Sequence, residues 1–318
     1  MRILYAASNR IGSFFQLKRF LDRFSSLHTV KVAAYKSSSG NLNIDYTLDS
    51  LINFTSASDT ISFNNENYKK YGSFVRSFKP DLIISDLEIY TSTLAIENKI
   101  KIYQVSPILI YYATPNEVKY NLGIYKNSPY LFNKTKIKND YINFILNNSD
   151  KNIVLSHFCD VENIFELKDK FVWCRPDYVL VDDNKIEYDF LSASIENNKK
   201  ILNLLDNKKS VIFSSFYYEQ FDNIKMKNIL NDKEYPEYLS RSKSVICNGE
   251  SDILSDAFYN MKPVCIAPQQ NDMESIVMSK YTEYYRLGKV SDINLDDIKI
   301  NIKLNENVKS LSAHIKEN

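Results

Sequence analysis

The chain has 318 residues, which is long for a single hydrophobic core and suits two α/β domains. Hydrophobic residues make up 44% of it and charged residues 25%, the balance of a globular protein rather than a disordered or membrane-embedded one. The formal net charge is +1, so there is no overall field that would attract nucleic acid or an anionic membrane, although this leaves room for local basic patches.

The four cysteines predict neither a disulfide framework nor a zinc site, because no two of them stand in a Cys-x-x-Cys pair. Three of them, Cys174, Cys247 and Cys265, lie in apolar runs, where a cysteine is usually a small buried thiol. The opening residues lack the apolar segment of a signal peptide, and no apolar run approaches the roughly 18 residues that cross a bilayer. We therefore expect a cytoplasmic protein without a transmembrane segment.

The chain opens with a strand, a helix and a second strand, predicted at 2–7, 14–24 and 30–34. This βαβ unit is typical of a doubly wound domain, which binds ligands at the carboxyl edge of its sheet. The first loop lies at that edge and contains Gly12 and Ser13. Ser13 has a simpler alternative role as the N-cap of the helix that follows.

The remaining segments continue this alternation of helices and strands. In the first half we predict helices at 68–78, 90–98 and 133–148, and strands near 60–63 and at 82–85, 101–105, 152–155 and 171–174. In the second half we predict helices at 201–205, 234–242, 253–260 and 308–317, and a further helix after loop 268–274 that ends at Gly288. Strands are predicted at 209–213, 244–247 and 263–267. The tyrosine-rich stretch 108–130 is predicted as loop, and the polar stretch 182–199 without a regular element.

Three titratable side chains follow predicted strands, where a parallel sheet places its catalytic groups. Asp86 and Glu88 come directly after strand 82–85, and either carboxylate could take a proton from an acceptor hydroxyl. Asp86 could instead cap the helix that follows. His157, after strand 152–155, is the histidine best placed for catalysis, and a structural role is its alternative.

The stretch 244–288 is the most informative part of the sequence. A buried strand leads into the polar turn 248–252, then a helix, a second strand, the polar loop 268–274 and another helix. This order predicts a parallel sheet with the turn at its carboxyl edge, where backbone N–H groups at a helix start can face a phosphate. An ordinary βαβ unit without a ligand is the alternative.

These residues resemble the donor-binding half of GT-B glycosyltransferases, above all UDP-glycosyltransferases and lipid II-forming N-acetylglucosaminyltransferases. The resemblance is carried by Asn248-Gly249 in the turn, Asp256, Lys262-Pro263 and the loop 268–272. It implies an α/β GT-B fold, with two Rossmann-like doubly wound domains facing a central cleft. Residues 1–176 would bind the acceptor and residues 177–318 the nucleotide-sugar donor, with a C-terminal helix that returns to the first domain.

The resemblance also implies roles for individual residues. Asp256 would hold the donor ribose. The donor side would comprise Ser214, Ser215, Asn248, Gly249, Glu250, Ser251 and Asp252, with the two serines and the backbone N–H groups near 249–252 on the diphosphate. The sugar hydroxyls would be bound by Gln269, Gln270, Asp272 and Glu274. The acceptor side would comprise Gly12, Ser13 and His157, with Asp86 or Glu88 as base and Arg175 within reach of the pyrophosphate. The catalytic histidine that the family carries in its first loop is absent, because Gly12-Ser13 stands there instead.

The implied function is sugar transfer from a nucleotide-sugar, with a UDP-sugar as the expected donor, to an acceptor hydroxyl with inversion. The sugar is a hexose or a pentose, and no metal or other cofactor is obligatory. The acceptor is a glycan, a lipid-linked hydroxyl or a hydroxymethylated DNA base. The last option follows from the many Asn, Lys, Ile and Tyr residues, which indicate an AT-rich genome and resemble viral and phage glycosyltransferases of the host cytoplasm.

Two alternatives belong to other functional classes. One is a nucleotide-sugar 2-epimerase-like enzyme, which would share the sheet and the donor loop but needs more histidine and acidic groups than a chain with three histidines offers. The other is a non-catalytic carbohydrate- or nucleic-acid-binding module on a degenerate GT-B frame. The six glycines, few for a nucleotide-binding protein, and the missing first-loop histidine favour this second alternative.

Overall fold

A computed structural model describes residues 1–8, 13–35, 42–48, 65–124, 136–182, 185–193, 199–214, 222–228, 234–269, 272–300 and 303–316. The chain forms two compact units. The first comprises residues 1–109, 125–155 and 167–172, and the second comprises residues 110–124, 156–166 and 173–318. The assignment of residues 1–176 to an acceptor domain and 177–318 to a donor domain stays a prediction.

The strands are short, as is usual for α/β proteins. They are β1 (Arg2–Ala6), β2 (Thr29–Ala34), β3 (Tyr46–Thr47), β4 (Leu82–Ser85), β5 (Ile102–Ser106), β6 (Lys151–Leu155), β7 (Phe171–Arg175), β8 (Tyr188–Ala193), β9 (Ser210–Ser214), β10 (Ile224–Asn228), β11 (Ser242–Cys247), β12 (Val264–Ile266), β13 (Gly288–Val290) and β14 (Lys309–Ser310).

Helices alternate with these strands. They are α1 (Ser13–Phe24), α2 (Asn65–Phe78), α3 (Ile89–Glu97), α4 (Leu109–Ala113), α5 (Asn116–Asn121), α6 (Lys136–Asn148), α7 (Lys199–Leu204), α8 (Tyr235–Ser240), α9 (Ser251–Tyr259), α10 (Met273–Tyr284) and α11 (Leu311–Lys316), with a 3₁₀ turn at His157–Asp160.

The sheet of the first unit runs in the order β6-β5-β4-β1-β2-β3, and its described pairings are all parallel. β4 and β5 are buried along their whole length, which explains their continuous apolar runs. Helix α1 covers β1 with side chains spaced three and four residues apart, Leu17, Phe20 and Phe24, all buried. The rings of Phe20 and Tyr5 lie 4.6 Å apart, so this stripe holds α1 against β1.

The sheet of the second unit runs in the order β10-β9-β8-β11-β12-β13 and is likewise parallel in its described pairings. β11 is a central strand, since Val245 pairs with both Leu191 and Val264. One face packs an apolar cluster that includes Phe190, Ile212 and Ile246. From β8 the chain adds β9 and β10 on one side of the sheet, and from β11 it adds β12 and β13 on the other. The carboxyl end of β11 therefore lies at the point where the strand order reverses, which is where open α/β sheets bind ligands.

Four strands of the second unit were not predicted from the sequence: β8, β10, β13 and β14. β8 lies in the polar stretch 182–199, although it is central and almost fully buried. β10 alternates Ile224 and Met226 with lysines, the pattern of an edge strand, and it pairs only with β9 in the described part of the sheet. Charged side chains in and around β8 and β10 interrupt the apolar runs by which a buried strand is predicted. The backbone of both strands is buried by pairing with strands that are distant in sequence.

Three further predictions need correction. The tyrosine-rich stretch is not all loop, because α4 and α5 lie within it. Gly288 does not end a helix; it begins β13, and α10 ends four residues earlier at Tyr284. Helix α11 is shorter than predicted and belongs to the second unit, and its return to the first domain stays a prediction. The strand predicted near 60–63 lies outside the described residues.

A buried ion pair joins four segments of the second unit. The Asp160 carboxylate accepts two hydrogen bonds of 2.7 Å from the Arg175 guanidinium, one of 2.8 Å from the Asn305 N–H, and one from the Tyr259 hydroxyl. Burial by itself would raise the pKa of Asp160, but these donors outweigh it and hold the pKa below the usual range. These contacts give Arg175 a role in packing the unit, and its contact with a donor pyrophosphate stays a prediction.

Replacement of Asp160 by alanine should lower the free energy of unfolding by about 3 kcal/mol, because Arg175 would lose its buried partner. The surface pair Lys243–Asp296 supplies the control, and Asp296→Ala should change stability little. Because the pKa of Asp160 is lowered on folding, its contribution should stay constant from about pH 8 to about pH 5 and be lost only at more acidic pH. Urea unfolding at these pH values measures both effects, and equal stability of the two variants would contradict the assignment.

Candidate functional site

The turn after β11 is built on a glycine in an unusual conformation. Gly249 has φ +110°, a region that side chains with a Cβ rarely adopt. A Cβ at this position would lie 3.0 Å from Ser275 Cα and 3.2 Å from Ser275 O. The backbone of α10 therefore packs directly on the turn, and only glycine leaves room for it.

The first turn of α10 is fixed to this turn by hydrogen bonds. Asp272 caps α10, since its carboxylate accepts the N–H groups of Glu274 and Ser275 at 3.1 and 3.3 Å. The Ser275 hydroxyl donates to the Asn248 carbonyl and accepts the Gln269 N–H at 3.0 Å. The N-termini of α9 and α10 thus meet at Gly249, and both helix dipoles favour an anion there.

Glu250 folds its side chain back over the same turn. Its carboxylate accepts the Asn248 backbone N–H at 2.9 Å and the Asn248 side-chain N–H at 3.2 Å. Burial raises the pKa of Glu250 to about 7 despite these donors, and the Asp272 carboxylate adds to the rise. A carboxylate therefore already lies among the N–H groups expected to bind phosphate.

The other donor residues are placed as follows. Ser251 and Asp252 form the first turn of α9 and are buried. Ser214 ends β9 at the same edge of the sheet, with β8 between β9 and β11. Glu274 is half-buried at the start of α10. Ser215 and Gln270 lie outside the described residues.

Asp256 lies inside the unit rather than at the sheet edge. It has no exposed surface, and its carboxylate accepts the Val179 N–H at 2.8 Å. Asn260, one turn further along α9, holds the same segment through Val181 N–H at 2.9 Å and Val179 O at 2.5 Å. These contacts give Asp256 a packing role, and its contact with a donor ribose stays a prediction.

In the first unit, Glu88 is the cap of α3, whereas we expected Asp86 to be the capping candidate. The Glu88 carboxylate accepts the Tyr90 and Thr91 N–H groups at 3.2 and 2.7 Å, and the hydroxyls of Thr91 at 2.6 Å and Tyr35 at 3.2 Å. Burial raises its pKa, although all of these donors oppose the rise. So enclosed a carboxylate is suited to a structural role, and its service as a base stays a prediction.

Asp86 stands apart from this cap because Leu87, at φ 51°, turns the chain between the two carboxylates. Asp86 is buried at the carboxyl end of β4, where its Oδ2 accepts a hydrogen bond of 2.8 Å from the Ser8 hydroxyl. Ser8 follows β1, so the contact lies beside the first loop. Gly12 and the side chain of Ser13 lie outside the described part, and Ser13 is the first residue of α1.

His157 is part of a packed core in the second unit. It is 2% exposed, and its ring centroid lies 4.2 Å from that of Phe158 and 5.2 Å from that of Phe258. Burial lowers its pKa to about 3, which keeps the imidazole neutral, and Nδ1 lies 3.3 Å from the Ser255 hydroxyl. These surroundings favour the structural alternative, and a contact with the acceptor stays a prediction.

Three partners of the candidate residues were missed by the sequence analysis. Ser8 and Tyr35 each follow a strand at the carboxyl edge, so their positions after β1 and β2 were a usable signal. Ser275 had only the signal of an Asp–x–x–Ser helix start, which gives no hint of its packing on Gly249. Among the described residues there is no group of three or more metal-ligating side chains, and no helix with the length and hydropathy of a membrane span.

No protein-family model and no curated protein sequence matches the chain. Solved structures match it in fold. The spinosyn forosaminyltransferase SpnP is 14% identical with a TM-score of 0.57, over 94% of this chain and 87% of that one. The glycosyltransferase SsfS6 of Streptomyces sp. SF2575, complexed with thymidine diphosphate, is 14% identical with a TM-score of 0.54, over 91% and 87%.

A third neighbour is S. aureus MnaA in complex with UDP, 12% identical with a TM-score of 0.51, over 84% of this chain and 79% of that one. The chain has the GT-B fold. At these identities the comparisons establish the GT-B architecture of two parallel α/β sheets, as the sequence predicted.

Gly249→Ala should destabilise the GT-B chain by about 3 kcal/mol, because it adds a strained φ and a clash with Ser275. Gly123→Ala is the matched control, since Gly123 has φ +66° and nothing within 4 Å of an added Cβ. The control should lose only about 1 kcal/mol, the strain alone. Chemical unfolding measures both, and equal losses would show that the approach of α10 to the turn is not tight.

Proposed function

We propose that the chain is a glycosyltransferase that moves a sugar from a nucleotide-sugar donor to an acceptor hydroxyl, with inversion at the anomeric carbon. One observation carries the proposal: two helix N-termini meet at the Gly249 turn, at the carboxyl edge of a sheet in a GT-B fold. The glycosyltransferase SsfS6 and MnaA share this fold and were solved with thymidine diphosphate and UDP. The second unit would accordingly bind the donor.

The N–H groups of the turn and the two helix dipoles would stabilise charge on the departing diphosphate. This stabilisation needs no metal ion, and we propose that none is obligatory. Gln269 and Glu274, at the start of α10, would bind hydroxyls of the donor sugar. The Asp272 carboxylate already accepts two backbone N–H groups at the start of α10, so it would bind a sugar hydroxyl through its remaining lone pairs.

Asp86 is the proposed base. Its carboxylate would take the proton of the acceptor hydroxyl as the acceptor oxygen attacks the anomeric carbon and the bond to the diphosphate breaks. The hydrogen bond from Ser8 would orient the carboxylate. The acceptor itself stays open among a glycan, a lipid-linked hydroxyl and a hydroxymethylated DNA base.

The donor is tested by thermal unfolding in the presence of the diphosphates of uridine, thymidine, guanosine and cytidine and their sugars. A ligand at about a hundred times its dissociation constant should stabilise the protein by about 2.7 kcal/mol. We expect one base to give this shift in the wild type and in Gly123→Ala, and Gly249→Ala to lose it. The absence of a shift with every nucleotide would contradict the proposal and favour a binding module on a degenerate GT-B frame.

Asp86→Asn should lower kcat by about 100-fold or more, because the amide cannot take the proton. Its stability should change little, since the Asn carbonyl can still accept from Ser8. The matched control is Asp81→Asn, at the opposite end of β4, where Asp81 pairs with Arg2 on the surface. Release of nucleoside diphosphate with a panel of acceptors, with and without EDTA, is the measurement. Full turnover in Asp86→Asn would mean that another group is the base.

A further inference from the structure

Glu250 folds its carboxylate over the turn that the proposed function assigns to the donor diphosphate. Its carboxylate takes the Asn248 backbone N–H at 2.9 Å and the Asn248 amide at 3.2 Å, at the N-terminus of α9. Asn248 precedes the N-cap of α9 by two residues, so these N–H groups belong to the turn that leads into the helix start, beside the donors that the helix itself offers to an anion. The residue as a whole keeps part of its surface exposed to solvent.

We propose that Glu250 is an internal anion of the donor site, which the diphosphate of the donor must displace or meet in its protonated form. The inference rests on the proposed function, since it requires that a nucleotide-sugar binds at this turn. A carboxylate and a diphosphate cannot share one set of N–H donors, because two like charges at hydrogen-bond distance repel strongly in a half-buried site. Glu250 would therefore set the affinity of the donor.

Titration of Glu250 would couple donor binding to pH. In the described structure, two titratable groups face it from other elements: the Cys247 thiol at the end of β11 and the Asp272 carboxylate at the start of α10. Burial raises the pKa of the Cys247 thiol well above its usual range, so that group stays neutral, and Asp272 raises the pKa of Glu250. The pKa of Glu250 thus lies at about 7, in the middle of the physiological range.

The protonation state of Glu250 determines how donor affinity changes with pH. Below about pH 6 Glu250 is protonated and the turn is available to a diphosphate; above about pH 8 the carboxylate holds the turn. The apparent Kd equals the intrinsic Kd divided by the fraction of the protein in which Glu250 is protonated. With a pKa of about 7, that fraction falls from about 0.9 at pH 6 to about 0.1 at pH 8. The apparent Kd of the donor should therefore rise about tenfold between these pH values, with uptake of one proton on binding at the higher pH.

The test uses isothermal titration calorimetry of the full chain with UDP-glucose, dTDP-glucose, GDP-glucose and CDP-glucose, whose diphosphates do not titrate in this range. Measurements at pH 6 and pH 8, in two buffers of different ionisation enthalpy, give both Kd and the proton count. Glu250→Gln should bind with a nearly constant Kd and no proton uptake. Glu250→Ala, which removes the occupant, keeps the test valid if the Gln variant does not fold. Glu283→Gln, an exposed change on α10, is the matched control and should behave as the wild type.

Each outcome decides. A tenfold rise of Kd in the wild type and in Glu283→Gln, absent in both Glu250 variants, supports the inference. Binding that is equally tight at both pH values in the wild type overturns it and leaves the proposed function standing. Weaker binding in both Glu250 variants at pH 6 also overturns it, because Glu250 would then be a ligand of the donor. No binding by any variant at either pH overturns the inference together with the proposed function.

Discussion

The candidate donor site depends on one close approach, that of the α10 backbone to Gly249. The N-termini of α9 and α10 can meet in this way only if residue 249 has no Cβ, because an added carbon there would lie 3.0 Å from Ser275 Cα. The hydroxyl of Ser275 then joins the turn to the loop before α10 by accepting one N–H and donating to one carbonyl. The meeting of the two helix starts at the sheet edge is therefore a property of packed backbone.

Backbone packing also explains how a chain of near-zero net charge could hold a strongly anionic ligand. The partial charges of helix ends are fixed in place, whereas lysine and arginine side chains must be ordered before they contribute. The buried carboxylates of the chain are held in a related way. Glu88 and Asp160 each accept several hydrogen bonds, from a helix start in one case and from Arg175 in the other.

Much of the architecture could be predicted from the sequence, because a buried parallel strand is a continuous apolar run. The prediction for 82–85 agrees with β4 at both ends. The polar segments behaved differently: β8 is central, yet its burial is determined by partners on β9 and β11 that the local sequence does not reveal. Side-chain roles were harder for the same reason. The hydrogen bond that Asp256 accepts from the Val179 N–H could not be predicted, because the two residues are 77 positions apart in the chain.

The ion pair of Asp160 and Arg175 has a consequence for when the second unit can fold during synthesis. Its other partners come late, since Tyr259 follows Asp160 by 99 residues and Asn305 follows it by 145. During synthesis on the ribosome, the carboxylate must stay hydrated until those residues emerge, because burying it with donors missing is unfavourable. The second unit can therefore complete its core only when nearly the whole described chain is present, which makes its folding a late, cooperative event rather than a gradual one.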